Sequence, residues 1–419
     1  MSEAEGPADG MAGSRAGLRA AFAVGEFRAL WSAELLSVAG DQLAKVALAV
    51  LVFDRTHSPA WTALTYALTM LPSLLSGVLL TGLADRFPRR AVMIVCDLAR
   101  AALVGVMALP GTPVVAAVAL LVVAQLGPAP FSAAQSPTLA LALPGELLVQ
   151  GQSIRQITIN TAQLAGLALG GAVVAWLGVH PALAVDAATF VASAMLVRVG
   201  VHPRPAPLTG PASVRYAAAL RQGAHVIWSD LRLRTLVGMA WLAAFTVVPE
   251  GLAVPYAAQL HLSTHVVGLL LAADPLGMVI GALLVARIAV RWQQRVLGPL
   301  AVASMLPMVV YLVRPPLALA LVLLVLVGAF SGYQIIVQST FVRRVPDAHR
   351  GQAGGFAGAG LTAVQGLGVA AGGLVAQWLL PAGAIAAAGA AGTLFALVLA
   401  TASRRHDPQL PIDGHVDPY

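Results

Sequence analysis

Gly82-Leu83-Ala84-Asp85-Arg86-Phe87-Pro88-Arg89-Arg90 sets four charges within six positions between two long apolar runs. The run before it, 60–82, carries no charged residue, and the run after it, 91–110, carries only Asp97 and Arg100. An apolar stretch of about 20 residues crosses the roughly 30 Å hydrocarbon core of a bilayer as a helix. Only a helix or a closed barrel satisfies its own backbone groups there. A short charged turn between two such stretches therefore reads as a hairpin of membrane spans with its turn in water. The same alternation extends in both directions. Spans are predicted at 29–53, 60–82, 91–110, 113–136, 152–177, 180–198, 235–259, 265–288, 296–313, 316–341, 352–379 and 382–402. Of the 419 residues 58% are apolar and 10% charged, where a soluble chain carries about a quarter charged residues. The expected fold is an all-α polytopic membrane protein of twelve transmembrane helices.

A longer polar segment, 199–234, divides the spans into six and six. It carries Val214, Ala217, Leu220, Ala224, Ile227 and Trp228 at helical spacing, which predicts a short interfacial helix. The two halves echo each other. Gln135-Ser136, Pro144-Gly145 and Gly151-Gln152 recur as Gln338-Ser339, Pro346-Asp347 and Gly351-Gln352, displaced by 203 residues at the start and 200 at the end. Two six-helix bundles related by a pseudo-two-fold axis are expected, over 27–198 and 235–402, joined by the 199–234 linker and flanked by tails 1–26 and 403–419. Such duplicated bundles can rock about a site at their interface.

Arginine placement gives the orientation. The even-numbered connections and the linker hold Arg86, Arg89, Arg90, Arg155, Arg198, Arg204, Arg215, Arg221, Arg232, Arg234, Arg287, Arg291, Arg295, Arg343, Arg344 and Arg350, whereas the opposite side holds only Arg55 and Arg314. Basic residues mark the cytoplasm, so both termini are expected inside. The net charge of +7 is then a topology signal, and its dispersal over loops with no recognition motif argues against a nucleic-acid partner. Residues 1–26 lack a charged start followed by a compact apolar core, so no cleavable leader is expected. The single Cys96 excludes an internal disulfide and a Cys-rich metal site. His57, His180, His261 and His265 fall at outer span ends, and no metal is expected. No nucleotide-binding loop and no nucleophile beside a base is present, so no cofactor or enzymatic activity is expected, and an ion gradient or the substrate's own gradient is the expected energy source.

The loop at Gly82–Arg90, followed by Met93, Asp97 and Arg100, resembles the signature loop of the major facilitator superfamily. Phe27-Arg28-Ala29-Leu30-Trp31 through Gly40-Asp41 to Phe53-Asp54-Arg55-Thr56, and Val345-Pro346-Asp347 with Arg350-Gly351, resemble its drug:proton antiporter branch, which contains macrolide-efflux and siderophore-export proteins. The chain departs from that pattern with Thr81 and Pro88 where glycines are usual, and with no glycine-proline motif in the fifth span. The resemblance implies a secondary transporter that exports an amphipathic small molecule by proton antiport. It also implies a conformational latch of Asp85, Arg86, Arg89, Arg90, Asp97 and Arg100, in which Asp85 caps a neighbouring helix start and the rest pair around it.

Charges inside the spans are the candidate site, because a charge at mid-membrane costs about 2.5–3.5 kcal/mol even on insertion scales. Glu34, Asp41 and Lys45 share one face of the first span, with Asp41 and Lys45 spaced to pair. Lys45 is the only lysine, and an ammonium can lose its proton where a guanidinium cannot. A structural ion pair is the alternative. Asp186, Glu250 and Asp274 are further candidates, with Pro249 and Pro275 beside the last two; depth favours Asp274 as central and sets Asp186 and Glu250 nearer the outer surface. Asn160, Gln334 and Gln338 are candidate cavity residues among polar side chains that otherwise bond between helices.

The expected partners are a small-molecule substrate, protons and the bilayer, for a monomer. Arginine and alanine dominance points to a G+C-rich bacterial genome and so to a bacterial inner membrane. An uptake permease or facilitator on the same scaffold, or a receptor without transport, stays open at this stage. The topology is testable directly: reporters fused at Gly6, at Gly210 and at Asp413 should all report a cytoplasmic location, and any of them found outside overturns the orientation.

Overall fold

A computed structural model describes residues 20–206 and 212–405. Most of both expected tails, with Gly6, Gly210 and Asp413, lies outside those residues. The described chain forms twelve spans in two bundles of six, and the breaks within spans follow proline and glycine. Span 1 is the helix Gly25–Thr56. It ends where His57 takes a left-handed φ of 48°, after which Ser58 accepts from the Trp61 amide and Pro59 opens span 2. Span 2 is two helices, Pro59–Ala67 and Leu71–Leu79, and the four-residue helix Leu83–Arg86 lies in the loop after it. Span 3 is Arg89–Met107. Span 4 breaks at Gly127-Pro128 into Val114–Ala124 and Pro128–Ala142. Span 5, Glu146–Leu177, and span 6, Val179–Gly200, are joined by Gly178 alone, at φ 86°.

In the second half Asp230 caps the start of span 7 by accepting from the amides of Arg232 (2.7 Å) and Leu233 (3.4 Å). Pro249 and Pro255 accompany the breakdown of span 7 into Leu231–Trp241, Ala243–Thr246, Val248–Gly251 and Ala253–Gln259, as expected where ring nitrogens cannot donate. Span 8, His265–Ala286, keeps one helix through Pro275. Span 9 runs over Val290–Ala303, Leu306–Val309 and the tight turn Val310–Val313. Span 10 runs over Leu317–Phe330 and Tyr333–Arg344. Spans 11 and 12 form one helical stretch, Arg350–Arg405, turned at Leu380 with φ 62° before Pro381. Among the described residues nine stretches are apolar and long enough to cross a membrane by themselves, and one of them, Asp347–Ser403, contains spans 11 and 12. Spans 2 and 3 are missing from that set, span 3 because it carries Arg89, Arg90, Asp97 and Arg100.

The linker helix, Ala212–Ser229, packs on protein. A Cβ at Gly223 would collide with the Gln352 carbonyl. Trp228 meets Trp241 and Phe356 edge-on, at 6.4 and 6.1 Å between ring centres.

The halves are drawn together on the side away from the linker, here called the far side. A Cβ built on Gly171 of span 5 would stand 2.7 Å from the Cα of Gly268 in span 8. Gly373 of span 11 presses on Ala60 and Ala63 of span 2. Gln377 donates to the Ser58 hydroxyl at 2.8 Å, and the Tyr66 hydroxyl of span 2 donates to Glu250 of span 7. On the linker side one face of the start of span 11 is unpacked: nothing among the described residues lies within 4 Å of a Cβ built on Gly351, Gly354, Gly355 or Gly358, while Gln352 and Phe356 meet the linker helix. The bundles thus close at the far side and part toward the linker side.

This seal is testable. Gly171→Val overpacks a contact between backbones, at a cost of about 1–3 kcal/mol. In a Cys96→Ala background, oxidative cross-linking of Ser58→Cys to Gln377→Cys should be efficient, and adding Gly171→Val should reduce it by about fivefold or more. Unchanged cross-linking would show that the glycine contact does not hold the far side shut.

Candidate functional site

The first bundle carries a buried charged cluster contributed by spans 1, 3 and 6. The Arg100 guanidinium donates to the Asp41 carboxylate and to the Ser37 hydroxyl at 3.3 Å. Its carbon lies 4.0 Å from the centre of the Phe190 ring, a cation–π contact that strengthens as water is removed. Asp97 accepts from the Ser193 hydroxyl at 2.6 Å, tying span 3 to span 6. Asp186 is fully buried beside Gly40. A Cβ at Gly40 would strike both the Asp186 carboxylate and the Thr189 hydroxyl, so only glycine lets span 6 bring that acid so near span 1. The Thr189 hydroxyl donates to the Asp186 carbonyl at 2.7 Å. Asp41, Lys45, Gln125, Arg100 and Asp186 surround a cavity of about 10 Å³, room for about one water.

Two expectations change here. Asp41 takes its partner from Arg100 across the bundle, while Lys45 donates weakly to Gln42 at 3.4 Å on its own helix. A spacing of four places two side chains on one face, but a guanidinium on span 3 reaches Asp41 with more donors. Asp97 and Arg100 likewise do not gather round Asp85. They lie two turns and more into span 3, inside the bundle, where Asp186 joins them.

The rest of the signature loop stays at the linker side. Asp85 is half-buried and has no ion pair among the described residues. Arg86 is exposed, Arg89 is half-buried, and Arg90 donates to the Arg198 carbonyl at the end of span 6. Glu34 is tied across the bundle. It accepts two bonds from Arg155 of span 5, one of 2.7 Å, and Arg155 also donates to Gln135 of span 4 at 3.0 Å. At the same end Glu26 binds Arg204 (2.8 Å) and the His202 amide (3.2 Å).

In the second bundle, Glu250 bonds Tyr66 across the interface, and Lys45 lies within electrostatic reach of both Asp41 and Glu250. Asp274 is buried, and its Oδ1 has no hydrogen-bond partner among the described residues. Gln334 is a strut: it donates to the Ala240 carbonyl at 3.2 Å, beside Tyr333, whose hydroxyl donates to the Met239 carbonyl at 3.1 Å. Gln338 and Asn160 are exposed, and Asn160 accepts from Gln156 at 3.0 Å. Sequence reasoning missed Tyr66, Ser193 and Phe190, which carry no charge to mark them, and used Arg155 only as a topology marker.

The chain can now be set beside known proteins. The family model for the Major Facilitator Superfamily matches residues 30–254 and again 236–415. The chain is 30% identical over 338 residues to the multidrug efflux pump Tap of Mycobacterium tuberculosis, covering 73% of this chain and 77% of that one. It is 29% identical over 342 residues to the enterobactin exporter EntS of Citrobacter koseri, covering 78% and 80%. Among solved structures, the nucleoside transporter NupG superposes with a TM-score of 0.67 at 15% identity, over 91% of this chain and 99% of that one. A bacterial homolog of the human lysosomal transporter Spinster superposes with a TM-score of 0.66 at 15% identity, over 90% and 96%. Two matches of the family model covering the two halves in succession, on a chain folded as paired six-helix bundles, make this protein a member of the major facilitator superfamily.

Proposed function

We propose that the protein exports an amphipathic small molecule across a bacterial inner membrane by proton antiport with alternating access. The observation that carries the reading is the pair of buried Arg100 with half-buried Asp41, with Asp97, Asp186 and Lys45 around it, next to an interface sealed at the far side. With the linker side cytoplasmic, as the arginine distribution favours, a cleft open toward the linker is the inward-open state, ready to accept a compound from the cell. Likeness to a multidrug efflux pump and to a siderophore exporter supports the outward direction. Three carboxyl groups share Arg100 and Lys45. Arg100 keeps its proton under all cellular conditions, so the carboxyl groups and Lys45 are the groups that can exchange one. Separation of Asp41 from Arg100 during the cycle would change what each carboxylate faces and so its hold on a proton. Glu250, bonded to Tyr66, would release its partner when the far side opens. Asp85, without an ion partner while the linker side is open, would find one when that side closes, which gives the signature loop its role as a latch.

The sign of each effect is fixed. Asp41→Asn should abolish pH-driven accumulation of substrate in sealed vesicles while sparing downhill counterflow, because exchange needs the cavity and not the proton. Lys45→Arg should also lose coupling if the ammonium is the carrier, and should retain it if Lys45 only balances charge. Full pH-driven transport by Asp41→Asn removes the cluster as the coupling site. For the latch, Asp85→Asn should lower the transport rate with unchanged folded yield, and a normal rate leaves the loop with a topological role alone.

A further inference from the structure

The linker side of the second bundle holds a recess that transport does not use. It has a volume of about 690 Å³ and lies between the linker-side ends of spans 7, 9, 10 and 12. Arg232, Arg295 and Arg344 line it, and Leu236, Met239 and Leu297 are buried beneath them. Contacts orient Arg295 and Arg344. Arg295 lies 4.6 Å from the centre of the Trp292 ring, and Arg344 donates through Nε to Asp230 at 2.9 Å. Burial pushes the Asp230 carboxyl up, but Arg344 and the Arg232 and Leu233 amides outweigh it, so it stays ionised and keeps Arg344 oriented. Trp292 is 46% exposed, and an exposed tryptophan at a span end marks the level of the lipid headgroups.

The first bundle has a counterpart. Its recess, about 360 Å³, is lined by Arg89, Arg90, Thr138 and Leu141 at the matching ends of spans 3 and 4. There the chain after span 6 is itself part of the wall: Val201, His202 and Arg204 line it, and Arg204 is tied to Glu26 at the start of span 1. Asp230 stands at the corresponding start of span 7, yet its arginine comes from span 10, and the recess beside it is nearly twice as large.

We infer that the recess formed by Arg232, Arg295 and Arg344 binds the phosphate of an anionic phospholipid headgroup from the linker-side leaflet. Guanidinium groups suit phosphate oxygens because several donors in a fixed plane meet several acceptors. The apolar floor suits the glycerol backbone and the first methylenes of the acyl chains, which a free phosphate lacks. Basic pockets between helix ends on the cytoplasmic side bind acidic headgroups by this chemistry. The inference stands apart from the direction and coupling of transport.

The test is lipid retention by the full-length protein, read by native mass spectrometry from detergent, with phosphatidylglycerol, phosphatidylcholine and inorganic phosphate as separate probes. Phosphatidylglycerol should bind at low stoichiometry and phosphatidylcholine should not. Arg295→Gln should weaken phosphatidylglycerol binding by about fivefold, the value of roughly one arginine contact at a lipid surface. Arg291→Gln removes the same charge from the same helix outside the recess, and should leave binding unchanged. Equal loss in both variants means general surface attraction and overturns the site. Saturation by millimolar inorganic phosphate, with displacement of the lipid, assigns the recess to a free anion and overturns the lipid. Equal melting temperatures of the two variants without added lipid show that folding is intact.

Discussion

A guanidinium buried inside a membrane bundle constrains everything around it. Arg100 is 5% exposed, and it cannot shed its charge. Its position therefore requires a carboxylate, a hydroxyl and an aromatic face, and these come from spans 1 and 6 as Asp41, Ser37 and Phe190. Those partners fix how the three helices lie. Gly40 must be a glycine for span 6 to come close enough, and Ser193 must face Asp97 to donate to the one acid of span 3. Removal of one partner from a buried ion pair costs about 3–5 kcal/mol because the other charge is left behind. A membrane protein that keeps such a cluster keeps a group of helices locked in one arrangement until the charges rearrange together.

The sequence disclosed the fold through punctuation and charge. Gly127-Pro128 breaks span 4 as its composition requires, Pro249 and Pro255 fragment span 7, and the arginine-rich connections lie together on the side of the linker. Periodicity even located the linker helix, and its Gly223 and Trp228 pack on span 11. The site was harder to read, because its pairings are long-range. Asp41 and Arg100 are 59 positions apart, and Tyr66 and Glu250 are 184 apart. Helical spacing identified the neighbours of Asp41 on its own helix, and so suggested Lys45. It contains no information about which helix stands opposite. Pro275 shows the same limit from the other direction: a residue that ends helices elsewhere lies within a continuous span 8.

The two halves are alike in outline and unlike in chemistry. Gln135 is buried against Arg155, while Gln338, its counterpart by the repeat, is exposed. Glu26 and Asp230 occupy corresponding helix starts, yet one is bound by the segment after span 6 and the other by span 10. Among the described residues the dense ion cluster lies in the first bundle, and the second contributes the acids Glu250 and Asp274. A duplicated scaffold thus supplies the geometry of rocking, and divergence of its side chains separates a charged half from a largely apolar one.

Gly178 is the whole connection between spans 5 and 6. Span 5 carries Gly171, at the far-side contact with the second bundle, and span 6 carries Asp186 and Phe190, against the buried charges. With no slack between them, the two helices cannot be displaced separately at that end. Through this turn, opening of the far-side seal is mechanically coupled to disturbance of the ion cluster. Lengthening this turn by a few flexible residues would uncouple the two and turn a synchronised carrier into a leaky one.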